Sequence, residues 1–115
     1  MTVKKVIRNL PLIKKFSSIA RNKRFRHKFT NNCNKCVITS ISEITRNFLK
    51  GNIPCSKRKV QNLKPYQRHI RELSKTNVSL AKKKRIINQH GGFLPQILIP
   101  AITLLAGIAS DKLLK

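Results

Sequence analysis

Val37-Ile-Thr-Ser-Ile-Ser-Glu-Ile-Thr-Arg-Asn-Phe-Leu49 is the stretch that sets the fold class. Val37, Ile41, Ile44 and Phe48 recur at helical spacing, which places them on one stripe, with Ile38, Thr45 and Leu49 beside it. Asn34 stands where an N-cap belongs, Gly51 where a left-handed residue closes a helix, and Pro54 follows as a stop. The pattern predicts a helix over residues 34–50 whose apolar stripe faces a core.

Reading on toward the C-terminus, Ser56 is placed to cap a second helix, with Val60 and Leu63 on one side and Lys57, Arg58, Lys59 and Lys64 on the other. Pro65 ends or kinks it, because an interior proline removes a backbone bond and clashes with the turn before it. Tyr66, Ile70 and Leu73 continue an apolar stripe; Arg68 and Arg71 stand outside it, and Glu72 is placed to pair with Arg68. Ser79 is a further cap, opening Leu80-Ala-Lys-Lys-Lys-Arg-Ile-Ile87. Residues 34–90 thus read as a small helical region with basic outer faces.

Reading back toward the N-terminus, residues 1–33 form a basic arm. Val3, Val6, Ile7 and Leu10 suit a turn or two of helix broken at Pro11, and Leu12, Ile13, Phe16 and Ile19 recur at helical spacing beyond it. Arg21 to Lys28 then carries Arg21, Lys23, Arg24, Arg26 and Lys28. Such charge density predicts a flexible arm that orders on a polyanion. At the other end, Ile86 to Ser110 contains no Lys, Arg, Asp or Glu. Residues 91–115 read as a Gly-Gly hinge and a hydrophobic helical segment. Phe93–Ala109 lies at the lower limit of about 17 residues for a bilayer span. Pro100 predicts a kink, or a helix that starts there and reaches Leu114. The expected fold class is mostly α: short amphipathic basic helices, a flexible N-terminal arm and a hydrophobic C-terminal segment that lies at an interface or docks on protein.

Charge decides the function class. Of 115 residues, 26 are Lys or Arg and three are acids (Glu43, Glu72 and Asp111), a formal net charge of +23. Like charges repel in a compact state, and a polyanion relieves that repulsion. Neutralising this chain takes roughly 40 Å of duplex DNA at ~1.7 Å per charge. No paired carboxylates, Gly-rich phosphate loop or Ser/His/acid set is visible, so no enzyme and no cofactor are expected. Cys33-x-x-Cys36 lacks a second ligand pair, which makes Cys33, Cys36 and Cys55 free thiols of a reducing compartment and leaves no metal site. Lys and Arg contact phosphate without reading sequence, and with no Trp, stacking on single strands is weakly supported. The expected nucleic-acid contacts are Lys14, Lys15, Arg21, Lys23, Arg24, Arg26, Lys28, Lys57, Arg58, Lys59, Lys64, Arg68, Arg71, Lys82, Lys83, Lys84 and Arg85.

Gly91-Gly92-Phe93-Leu94-Pro95, followed by Ile97-Leu98-Ile99-Pro100 and Ala106-Gly107-Ile108-Ala109-Ser110, resembles the C-terminal part of the adenovirus core peptide mu precursor. The stretch from Leu49-Lys-Gly-Asn-Ile-Pro54 through Leu63, Leu73 and Ser79-Leu-Ala-Lys-Lys-Lys to Gly-Gly is similar to small basic proteins of adintoviruses and Maverick (Polinton) elements. The resemblance covers roughly residues 35–110. It implies a virion core protein that condenses packaged double-stranded DNA, located in the virion core and the host nucleus, with capsid proteins as further partners. It also implies a viral cysteine protease cutting between Gly92 and Phe93, after Gly91-Gly92. Gln89 departs from the Met, Ile or Leu that the family's protease takes at that place, and the alternative is that the two glycines are only a helix stop and hinge. Two other function classes stay open. One is a membrane-active or tail-anchored protein, intracellular and membrane-associated, using residues 93–109 beside the Lys82–Arg85 cluster. The other is a ribosomal or mitochondrial RNA-binding protein; the acid-free first 42 residues resemble a transit peptide, although the acid-poor composition runs on beyond one.

Overall fold

The stripe through Val37, Ile41 and Ile44 does form a helix, and that helix becomes the centre of the molecule. The computed structural model describes the backbone of residues 3–33 and 35–114 and the side chains of residues 6–33 and 35–107. Its helices are α1 (Val3–Arg8), α2 (Leu10–Ile19), α3 (Lys23–Asn32), α4 (Lys35–Leu49), α5 (Lys57–Asn62), α6 (Gln67–Ser74), α7 (Leu80–His90) and α8 (Leu94–Leu114). Short 3-10 turns at Lys64–Tyr66 and Gly91–Phe93 lead into α6 and α8. Asn34, the expected cap of α4, lies outside the described residues.

Helix α4 ends as its sequence predicts. Gly51 adopts φ 78°, where a Cβ is strained, and the chain closes through Gly51 N–H to Phe48 O (3.1 Å) and Asn52 N–H to Asn47 O (2.9 Å). Its packing goes beyond a single stripe. Helices α1, α2, α6, α7 and α8 all rest on it, so Ser40, Ser42 and Thr45 are buried along with Val37, Ile38, Ile41 and Ile44. Buried hydroxyls need acceptors. Ser40 donates to Cys36 O (2.8 Å) and Thr45 to Ile41 O (2.7 Å), inside their own helix, while Ser42 donates across to Leu73 O of α6.

Residues 3–32, read from sequence as an arm, form three helices that share this core. Val6, Leu10, Ile13, Phe16 and Ala20 are buried, and α1 and α2 pack on both α4 and α8. The break falls at Asn9, and Pro11 sits in the first turn of α2, where its missing N–H costs nothing. The apolar spacing of the arm was therefore a core signal, and the cations occupy its outer faces.

The hydrophobic segment needs a similar correction. Helix α8 starts at Leu94 with Pro95 in its first turn, and it continues past Pro100 without ending or restarting there. Leu94, Ile97, Leu98, Ala101 and Leu105 form a stripe that is at most 1% exposed, packed on α1, α2 and α4. Burying each large aliphatic side chain stabilises by ~1.5–3 kcal/mol, which together exceeds the ~3 kcal/mol cost of an interior proline. By length and composition the run Leu80–Gly107 is apolar enough to cross a bilayer, a test that core helices also pass. In this fold its stripe covers the chain's own core. The Cα radius of gyration is 13.4 Å, in line with the ~13 Å of an ordinary domain of this length.

The two glycines before α8 have separate environments. A Cβ on Gly91 would lie 3.0 Å from Arg26 Cδ and 3.4 Å from Ile87 Cγ2, whereas one on Gly92 would meet only Arg26 Nη1, at 3.6 Å. Gly91 is small because Arg26 crosses it. Gly91→Ala is expected to destabilise the protein by about 1–3 kcal/mol, as overpacking does, and Gly92→Ala by much less; thermal unfolding of the two variants beside the parent protein checks the contrast.

Candidate nucleic-acid interface

Cations are laid out on the outer faces by the same spacings that bury the apolar stripes. Ser56 and Ser79 cap α5 and α7 as expected, accepting from Lys59 N and Lys82 N at 3.2 Å each. Asn22, which the sequence reading passed over, caps α3 by accepting from Phe25 N at 3.2 Å. In α6, the turn before it and the residue after it, Lys64, Arg68, Arg71 and Lys75 recur at a spacing of four, three and four, away from buried Ile70 and Leu73. They line a shallow basin of about 400 Å³ together with Pro65, Gln67 and Glu72.

Helix α7 packs against both α3 and α6. Exposed Lys82 and Arg85 and half-buried Lys84 thus stand on a helix that touches both α3, which carries exposed Lys23, Arg24 and Lys28, and α6 with its row. Glu72 spans the α6–α7 junction, its carboxylate 2.9 Å from Lys82 Nζ. That partner replaces the expected Arg68, and its hydrogen bond holds the carboxyl below the usual range. Below this pair the junction is closed by stacked rings, His69 on His90 (centroids 4.0 Å apart) and Tyr66 on Phe93 (5.2 Å). Burial lowers the His69 pKa, followed by the charges of His90 and Arg68, against a smaller opposing pull from Glu72. Lys14 and Lys15 on α2, Arg21 after it, and Lys57, Arg58 and Lys59 on α5 are exposed as well but stand on other elements.

Two expected phosphate contacts are withdrawn. Arg26 is 5% exposed, and its guanidinium donates to Ala20 O (2.6 Å) and to Asn88 O (3.2 and 3.0 Å), at the C-terminal ends of α2 and α7. Helix C-termini carry partial negative charge, so they hold a cation that has no carboxylate. Lys83 is 8% exposed and donates to Ser42 Oγ at 2.8 Å; burial, then the charge of Arg46, lowers its pKa. Arg46 in turn donates to Ser74 O (3.0 Å) and pairs with Glu43. A signal for Lys83 was present, since it lies three residues after Leu80 and four before Ile87, on the apolar stripe of α7.

Gly91 and Phe93 are buried within a 3-10 turn that joins α7 to α8, so a protease that takes extended chain meets this bond only after the turn unwinds. Cys33, Cys36 and Cys55 are free thiols. Cys33 Sγ lies 3.3 Å from Thr30 O, and burial raises its pKa. Among the described residues, no group of three or more His, Cys, Asp or Glu side chains is placed to hold a metal ion. Comparison with family models, curated proteins and solved structures gives no match.

The buried lysine generates a pH test. Its pKa is lower in the fold than in the unfolded chain, so between the two values the unfolded state binds more protons and stability rises with pH. The rise ends near the ordinary lysine value of about 10.4. Lys83→Met is expected to be neutral or stabilising at neutral pH, as replacing a buried charge often is, and to flatten that alkaline rise; chemical denaturation of both proteins from neutral to alkaline pH measures it.

Proposed function

We propose that the chain binds double-stranded DNA through its phosphates, without reading sequence, and condenses it as the core protein of a virion. The observation that supports this reading is the electrostatic imbalance of the folded surface. Glu43 and Glu72 are each paired with a cation of the chain itself, Arg46 and Lys82. Against them stand the exposed cations of α2, α3, α5, α6 and α7. From Lys64 to Lys75 the row along α6 and the residues flanking it sets four cations around one shallow basin. The side chains of that row are chiefly Lys and Arg, which position a protein on a duplex and carry no base information. The virion core assignment, with the nucleus as its cellular site, rests on the resemblance of residues 35–110 to the adenovirus-like core proteins.

A membrane-active protein is the second reading. It is favoured by Ile99 of α8, about half exposed in a cleft that Lys59 of α5 borders. Anionic liposomes distinguish the two: flotation of the full chain at physiological salt, together with indifference to DNA, would select the membrane.

Titration of the full chain onto duplexes of unrelated sequence at several salt concentrations tests the first reading. The expected result is similar affinity for all and a steep negative slope of log affinity on log salt, about 0.9 per phosphate contact. Replacing Arg68 and Arg71 together by Gln is expected to make that slope shallower by about two, while Lys83→Met leaves it unchanged. A slope near zero, or strong preference for one duplex, overturns the proposal.

A further inference from the structure

The hairpin of α2 and α3 carries a feature that DNA binding does not use. Leu12 and Phe25 are 42% and 53% exposed, among the largest apolar exposures on a surface otherwise rich in cations. They are not isolated. Leu12 and Ile19 of α2, with Phe25 and Phe29 of α3, line a groove of about 580 Å³ whose other walls include Lys15 and Lys28. Phe16 closes it from beneath, its ring 5.2 Å from that of Phe29. The contact fixes the pairing of the two helices, with Ile19 near Phe25 by the turn and Leu12 toward Asn32 at the far end. Each wall thus spans about two helical turns, roughly 10 Å. One lysine stands near the middle of each wall.

We infer that this groove is a docking site for an acidic amphipathic helix of a partner protein. Two turns of wall match the i, i+3 or i+4, i+7 spacing at which a helix lays apolar anchors into a groove. Lysines on both walls match carboxylates on both flanks of such a helix. Other occupants fit less well. A second copy of this chain brings a net charge of +23 toward another, against like-charge repulsion. An unstacked base needs partners for its polar edge, and Asn32 supplies the one side-chain amide among the lining residues. The apolar anchors of the groove, Leu12 and Phe25, are distinct from the DNA contacts, whereas Lys15 and Lys28 at its walls would be shared between an acidic protein and DNA.

The test uses a fluorescent synthetic peptide of about four turns, with Leu and Phe at i, i+3, i+7 and i+10 and Glu elsewhere, and a scrambled peptide of the same composition. Both are titrated with the full chain at about 0.15 M salt, where charges farther apart than ~8 Å are screened. Composition and charge are equal, so any difference reports the apolar pattern. The patterned peptide is expected to bind at least about tenfold tighter, and Leu12→Ser and Phe25→Ser, at exposed positions, to remove most of that preference while the DNA salt slope stays unchanged. A benzophenone at the i+3 anchor is expected to cross-link to α2 or α3, a readout that needs no variant. Equal binding of the two peptides, a preference that survives both substitutions, or cross-links confined to other helices would overturn the inference. So would loss of single-stranded oligonucleotide binding in Phe25→Ser with the peptide preference intact, which would make the groove a base site.

Discussion

A chain with 26 cations and three carboxylates has to find other partners for any cation that its core encloses. Here those partners are the C-terminal ends of helices. Arg26 closes α2 and α7 at Ala20 O and Asn88 O, Arg46 closes α6 at Ser74 O, and Lys83 reaches the same end of α6 through Ser42. Helix ends leave carbonyls unsatisfied and partly negative, so one contact meets a hydrogen-bonding need and an electrostatic one. The two described glutamates are partly buried too: Glu43 pairs with Arg46 within α4, and Glu72 joins α6 to α7. The arrangement leaves most of the cations outward, uncompensated and available.

What was legible in the sequence was local. The stripe of α4, its closing glycine, the caps at Ser56 and Ser79 and the turn at Pro65 all depend on residues within a few positions of each other, and the fold reproduces them. The packing of α1 and α2 on α8 was not legible, because it joins segments some eighty or more residues apart and no local spacing encodes it. Each segment displayed an apolar stripe without showing what it would cover, so the N-terminal stripe was read as part of an arm and the C-terminal one as a segment for an interface or another protein. Arg26 and Lys83 were placed by their charge, although for Lys83 the position on the stripe of Leu80 and Ile87 was the better guide.

The candidate interface was legible in kind and only partly in place. Helical spacing put Arg68 and Arg71 outside, and the structure adds Lys75 to their row. That α7 would pack on both α3 and α6 follows from tertiary packing alone. Apolar residues beside such a surface matter too: a purely cationic body adheres to any polyanion, and a shaped groove such as that between α2 and α3 gives a means of preferring one acidic partner over another.

Helix α8 completes a core that the first two helices begin, and Arg26 waits for a carbonyl sixty-two residues further along the chain. During synthesis from the N-terminus, most of the chain must therefore leave the ribosome before the interior can close. Until then the chain's cations stand beside the phosphates of ribosomal RNA with no closed core behind them.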